Sequence, residues 1–174
     1  MSEPNCLQHT RSSPSRWVRR FASLISPLVP VLDLAAGHGR HVRLLRSLDL
    51  QVTAVDRDVT GLVAFADDPG VEILSIDLER GTAWPLEDRR FAGIVVTNYL
   101  HRPLFPAIAT ALSQQGVLIY ETFALGNERY GRPSNPDFLL RSGELLDAFG
   151  SILQVVAYEH GKIAGPNPHI VQRI

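Results

Sequence analysis

The chain has 174 residues, 45% hydrophobic and 20% charged, enough for one well-buried domain and too few for two ordinary ones. Its formal charge of −1, from 17 basic and 18 acidic side chains, sets up no global field toward phosphate backbones or anionic lipid. Cys6 is the single cysteine, which excludes an intrachain disulfide and a four-thiolate metal site and fits a reducing, cytoplasmic setting.

Residues 1–12 are expected as a flexible tail and residues 13–174 as a single domain. Ser13-Pro14 offers a helix cap followed by proline at the first helical position, and Trp17, Phe21, Leu24 and Ile25 then recur at helical spacing. Arg19-Arg20 resembles a twin-arginine export signal, but Pro27, Pro30 and Asp33 interrupt the apolar run behind it, which argues against export. No uncharged stretch reaches the roughly 18 residues of a spanning helix. Val31 to Leu34 reads as a short buried strand, and after a glycine loop Val42, Leu45 and Leu48 mark one face of a helix. Gln51 to Val55 is a second strand, Gly61 to Ala66 a short helix, Val71 to Ile76 a third strand and Phe91 to Thr97 a fourth.

Pro106 to Leu112 reads as helix, Gly116 to Phe123 as a fifth strand, and Ser142 to Phe149 as a helix capped by Ser142. Ile152 to Glu159 and His169 to Ile174 close the chain. The glycines and prolines between them carry no helical period, so this last pair is expected to be antiparallel. The fold class is therefore α/β, a doubly wound, seven-stranded, mostly parallel sheet with an antiparallel last strand. In such sheets ligands bind beyond the carboxyl ends of the strands.

Asp33-Leu34-Ala35-Ala36-Gly37-His38-Gly39 falls where the first strand turns into a helix. Taken alone it is either a tight strand-to-helix turn or a loop whose amides approach a ligand. Asp56 ends the second strand 23 residues after Asp33, where an acid can accept from both hydroxyls of a ribose. Asp77 follows the third strand and Asn98 the fourth, so polar candidates end four successive strands on one sheet edge. A dinucleotide loop G-x-G-x-x-G would need a third glycine where Val42 stands, and Arg40 and His41 crowd the pyrophosphate position.

The segments VLDLAAGHGR, VTAVDRD, SIDLERGTAWPL and FAGIVVTNYLHR resemble, in order and at family spacing, the motifs of class I S-adenosylmethionine-dependent methyltransferases, over roughly Trp17 to Ile174. Ala35 stands where that family most often has its first glycine. The resemblance implies a Rossmann-like fold, S-adenosylmethionine as methyl donor and S-adenosylhomocysteine as product. It implies that Asp33 and the backbone of Ala35, Gly37 and Gly39 hold the methionine end, and that Asp56 holds the ribose. Asp77 would accept from the adenine amino group, the Leu78 amide would face the ring, and Asn98 would lie beside the transferred methyl. In build the chain resembles the compact tellurite-resistance and thiopurine types, which add little to the core.

Methyl transfer from a sulfonium is an in-line displacement that rests on alignment, so no catalytic triad is required. Glu121, at the end of the fifth strand, is either a proton acceptor or one half of an ion pair, and His101 is either a base or a hydrogen-bonded loop histidine. Tyr99, Tyr130 and Arg132 are candidates for acceptor binding. The long polar segment Asn127 to Asp137 is either a lid or a structured connection. No histidine has metal-ligand spacing, so no metal is expected. Asn98-Tyr99 lacks the prolines of the N-P-P-Y signature. A small-molecule acceptor is favoured; an RNA acceptor drawn by the early arginines, a protein acceptor and a non-catalytic cofactor-binding module are the alternatives. Membrane association is not expected.

Overall fold

A computed structural model describes residues 13–80 and 84–174, so the tail expected over residues 1–12 lies outside the described residues. Helix α1 (Arg16–Phe21) leads through a 3-10 turn into strand β1 (Val31–Leu34). There follow α2 (Arg40–Arg46), β2 (Val52–Asp56), a 3-10 helix (Val59–Phe65), β3 (Val71–Ser75) and β4 (Phe91–Thr97). The second half holds α3 (Phe105–Ala111), β5 (Leu112–Phe123), α4 (Glu144–Phe149) and the hairpin β6 (Glu159–Ile163) and β7 (His169–Arg173).

The strands form one sheet in the order β3-β2-β1-β4-β5-β7-β6. Strands β3, β2, β1, β4 and β5 run parallel, and β7 is antiparallel to both β5 and β6. This is the doubly wound α/β sheet expected from the sequence. Every residue of β1 and β4 is buried, because helices cover both faces of the parallel part.

The two-residue period of the strands sorts side chains between two cores. Leu32, Leu34, Ile94, Val96 and Tyr120 pack with Ile108, Leu145 and Phe149 on the α3/α4 face, where Phe105, Tyr120 and Phe149 form an aromatic cluster with centroids 5.3–6.1 Å apart. Val31, Val95 and Ile119 pack with Trp17, Val18, Val42 and Leu45 on the α1/α2 face. The same parity places Asp33, Thr97 and Glu121 on the α1/α2 face, at the carboxyl ends of β1, β4 and β5. Parity sets the face, and the parallel register of β1, β4 and β5 sets the end of the sheet at which the three polar side chains lie.

The structure corrects several local expectations. Helix α1 is capped by Ser15, not Ser13, because the Ser15 side chain accepts from the Trp17 and Val18 amides. Helix α2 stops at Arg46, leaving Leu48 41% exposed. The helix expected from Gly61 is a 3-10 helix begun two residues earlier, where Asp58 accepts from the Thr60 amide. Strand β5 starts directly after α3, at Leu112 rather than Gly116. Helix α4 is entered through left-handed Gly143 (φ 76°), not capped by Ser142.

The expected strand Ile152 to Glu159 is displaced to Glu159–Ile163. The apolar run containing Ile152, Val155 and Val156 is exposed and unpaired, because hairpin register, not hydrophobicity, selects what pairs with β7. His169 lies opposite Ile163 across a loop of residues 164–168.

Candidate functional site

The loop after β1 folds back against its neighbours. The Ala36 amide donates to the Val55 carbonyl (3.0 Å), the Gly37 amide to Asp56 Oδ2 (2.8 Å) and the Gly39 amide to the Ala36 carbonyl (3.0 Å). Gly39, at φ 71°, precedes the first turn of α2, and a Cβ there would run into the Phe65 ring; glycine is required on both counts. Gly61 serves the loop from the other side: a Cβ on it would stand 2.9 Å from the Gly37 carbonyl oxygen. Ala35 also adopts a left-handed conformation (φ 56°), which its Cβ disfavours and a glycine would adopt without strain.

Asp33, Asp56, Asp77 and Asn98 lie at or just beyond the carboxyl ends of β1 to β4, so the parallel strands bring them to one sheet edge. Asp33 is 1% exposed, and its Oδ2 has no hydrogen-bond partner. Burial pushes its carboxyl up to about 7, and Asp56 adds to this; Arg40 and the Val42 amide only partly offset it. Each oxygen of Asp56 accepts one backbone amide, Oδ2 from Gly37 (2.8 Å) and Oδ1 from Asp58 (3.0 Å), leaving one lone pair apiece for a ligand hydroxyl. Asp77 accepts from the Glu79 amide (3.0 Å) and lies 3.5 Å from Arg80, while Leu78 packs into the core beneath it. Asn98 is exposed in a left-handed conformation (φ 55°), and its amide donates to the Glu121 carbonyl (2.9 Å).

On the α1/α2 face a polar network joins elements distant in sequence. The Ser15 hydroxyl donates to Glu121 Oε1 (2.7 Å), Arg173 donates to Glu121 Oε2 (3.1 Å), and the Ser15 amide donates to His41 Nε2 (3.1 Å). That last bond makes Nε2 an acceptor, so His41 carries its proton on Nδ1, which faces Thr97 Oγ1 at 3.3 Å. Burial and the Arg40 charge pull the His41 pKa down to about 3, which keeps the ring neutral. Of the two sequence readings of Glu121, the ion pair is present in the structure, and both carboxylate oxygens are engaged. The Arg173 guanidinium lies 4.7 Å from the Trp17 ring centroid and also pairs with Glu159, so β7 braces the opening helix. Ser15, Thr97 and Arg173 carry no sequence signal of this role, which depends on strand order and parity.

Beyond β4 and β5 lies a hollow of about 250 Å³, lined by Glu79, Asn98, Tyr99, Leu100, Thr122, Phe123, Pro133 and Phe138. The Tyr99 hydroxyl is buried without a partner, and burial followed by the charges of Glu79 and Asp77 raises its pKa above the ordinary phenol value. Tyr130 and Arg132 do not line this hollow; both are exposed, and Lys162 Nζ sits 4.7 Å from the Tyr130 ring centroid. His101 opens a 3-10 turn through its carbonyl, and its side chain caps nothing.

The segment between β5 and α4 is a tied connection. Arg102 donates to Glu144 (2.6 and 3.0 Å) and to the carbonyls of Asp137 (2.7 Å) and Leu139 (2.9 Å). The Asn127 side chain donates to the Pro133 carbonyl (2.9 Å) and accepts from the Ile170 amide (3.1 Å). A larger hollow, about 590 Å³, flanks the first half of β5, away from these strand ends; no titratable side chain lines it. Among the described residues no three His, Cys, Asp or Glu side chains cluster as metal ligands, and no helix is long and apolar enough to cross a membrane.

No protein-family profile and no curated protein sequence matches the chain. Solved structures do. The chain superposes on TehB from Haemophilus influenzae with a TM-score of 0.71 at 18% identity, over 90% of this chain and 59% of that one. The glycopeptide N-methyltransferase MtfA, complexed with S-adenosylmethionine, gives a TM-score of 0.59 at 20% identity, over 90% and 91% of the two chains. This is the methyltransferase fold. At such identities the likeness is one of fold, and the methyltransferase fold also carries other chemistry: the [4+2]-cyclase SpnF aligns with a TM-score of 0.61 at 16% identity, over 82% of this chain and 58% of that one.

Proposed function

We propose that this protein is an enzyme that binds S-adenosylmethionine at the β1 to β4 edge and transfers its methyl group to a small molecule. One observation carries the reading: Asp33 keeps a buried carboxylate oxygen without a donor, directly under a loop of left-handed residues and flanked by Asp56 on the next strand. A buried acceptor of this kind costs free energy unless a ligand cation meets it. The fit extends along the edge, with Asp33 for the ammonium of the methionine end, Asp56 for ribose hydroxyls, Asp77 and the Leu78 amide for the adenine edge, and the Ala35 to Gly39 backbone for closure. Bound there, the sulfonium supplies an electrophilic methyl group.

The chain's own residues orient and enclose. Asn98 stands between this edge and the 250 Å³ hollow, which sets the acceptor side at Tyr99, Leu100 and Phe123. That volume suits a small acceptor, and Glu121, held by Ser15 and Arg173, serves as a brace for α1. The acceptor therefore brings its own nucleophile, aligned by the hollow. Tyr130 and Arg132 are exposed and do not line the hollow, so they take no part in this reading of the acceptor site. A cytoplasmic location accompanies this reading.

The test is calorimetric titration with S-adenosylhomocysteine and NAD, followed by labelled-methyl transfer into size-fractionated cell extract. Binding of S-adenosylhomocysteine but not NAD, with label in the small-molecule fraction, is expected. Label confined to RNA or protein would reject the acceptor class, and binding with no transfer into any fraction would leave a cofactor-binding module.

A further inference from the structure

Among the described residues, five arginines are neither exposed nor fully buried: Arg40, Arg46, Arg89, Arg102 and Arg173. Four of them face carboxylates, in the pairs Arg46 with Asp68, Arg89 with Glu72, Arg102 with Glu144 and Arg173 with Glu121. Arg40 is the exception, because among the described residues no carboxylate lies within ion-pair distance of it. Its guanidinium has only a hydroxyl, Thr97 Oγ1 at 3.3 Å, and a carbonyl, that of Ser13 at 3.5 Å. Both partners are neutral and both contacts are long for a charged donor. Removing a guanidinium from water without an anion is unfavourable, and burial accordingly lowers the Arg40 pKa.

The position makes the exception informative. Arg40 begins α2 immediately after Gly39, so it borders the glycine loop. Its partner Thr97 ends β4, next to Asn98. Asp33, at the other side of the loop, has the complementary deficit, a buried oxygen without a donor. The two charges sense each other but do not pair, and Glu121, the other nearby acid, is already held by Ser15 and Arg173. One unmet anion and one unmet cation beside a single loop match the two ends of an α-amino-acid zwitterion.

We infer that Arg40 is a binding residue for the α-carboxylate of the donor's methionine end, while Asp33 takes the ammonium. The inference rests on the proposed function. It assigns to Arg40 the choice between S-adenosylmethionine and adenosyl sulfonium compounds lacking the carboxylate. Such compounds carry one more net positive charge, and the acids at this edge favour them, so preference for the carboxylate form must come from a cation.

The test uses the whole chain with two probes, S-adenosylmethionine and its decarboxylated analogue, titrated into wild type, Arg40→Gln and Arg40→Lys. Wild type is expected to prefer S-adenosylmethionine by about 10- to 100-fold, the range of a charge-assisted hydrogen bond. Arg40→Gln should erase or invert that preference by weakening S-adenosylmethionine alone, with the analogue held to within about twofold. Arg40→Lys should retain part of the preference, and it keeps the test valid if the glutamine variant does not fold. Equal weakening of both probes would make Arg40 a structural support of the loop and overturn the assignment; so would an unchanged preference. Failure of wild type to bind either probe would instead overturn the proposed function, and the inference with it.

Discussion

Replacing Asp33 by asparagine separates stability from binding. The ordinary aspartate value of 3.8 is raised to about 7 in the fold, a shift of about 3 units, or about 4 kcal/mol at 1.36 kcal/mol per unit. The sign follows from proton counting. Between about pH 4 and pH 7 the unfolded chain has released this proton and the folded chain still holds it. Stability therefore falls as pH rises through that window, and the full penalty stands above pH 7. Asparagine does not titrate, but its amide nitrogen in the unpartnered position costs about 1–2 kcal/mol. The ligand-free Asp33→Asn protein should then be more stable than wild type by about 2–3 kcal/mol near pH 8. At roughly 2–4 °C per kcal/mol for a chain of this size, that is about 5–10 °C in Tm. The gap should close or reverse near pH 5. Thermal melts followed by circular dichroism at the two pH values measure it, and titration with S-adenosylhomocysteine near pH 8 should show affinity reduced about 10- to 100-fold. A variant no more stable than wild type near pH 8, or an equal gap at both pH values, would show that the buried charge is not the cause.

Asp56→Ala should lower S-adenosylhomocysteine affinity by about 1–3 kcal/mol and stability by about 1–2 kcal/mol, because its carboxylate also holds the Gly37 amide; calorimetry and urea melts check both. Ala35→Gly relieves a left-handed alanine and should raise Tm by about 1–3 °C with binding unchanged, and a lowered Tm would count against strain at φ 56°. Glu144→Ala removes the acceptor for Arg102 and for the Arg141 amide. It should cost about 2–3 kcal/mol and open residues 127–141 to limited proteolysis. His41, pulled from 6.5 to about 3, stays neutral in the fold while the unfolded chain protonates, so its contribution is lost as pH falls from about 6.5 toward 3. His41→Gln should flatten the stability profile over that range.

What the sequence discloses depends on the distance over which each feature is decided. Asp56 closes an apolar run and Asp33 stands within one just before the glycine loop, and a parallel sheet suffices to bring them to one edge, so both are legible from local pattern. The ion pair of Glu121 with Arg173 was not, because it needs β7 to be the antiparallel neighbour of β5. The Ser15 bond to Glu121 spans 106 residues and depends on where α1 lies over the sheet. The run holding Val155 and Val156 misled for a related reason: β-branched side chains mark what can pair, whereas the 164–168 loop decides which backbone meets β7. Arg40 was visible as a residue but not as an exception, since the ion pairs of the other half-buried arginines exist only in the folded chain.

The same division separates donor from acceptor. The proposed donor edge is built by strand ends that any doubly wound sheet supplies, and the fold itself does not fix the chemistry, since a [4+2]-cyclase shares it. The proposed acceptor hollow is built by residues that follow β3 and β4, by the end of β5 and by the segment leading to α4, whose position is fixed by Arg102 reaching Glu144 across 42 residues of chain. Substitutions in that segment can reshape the hollow without touching Asp33, Asp56 or the glycine loop. Binding of the donor therefore tests only one half of the proposed function, and turnover on an acceptor tests the other. A variant such as Phe138→Ala, on the wall of the hollow, should leave S-adenosylhomocysteine affinity within about twofold and change kcat/KM for the acceptor by about tenfold or more. If it moved both together, donor and acceptor sites would share a wall that the strand ends alone do not supply.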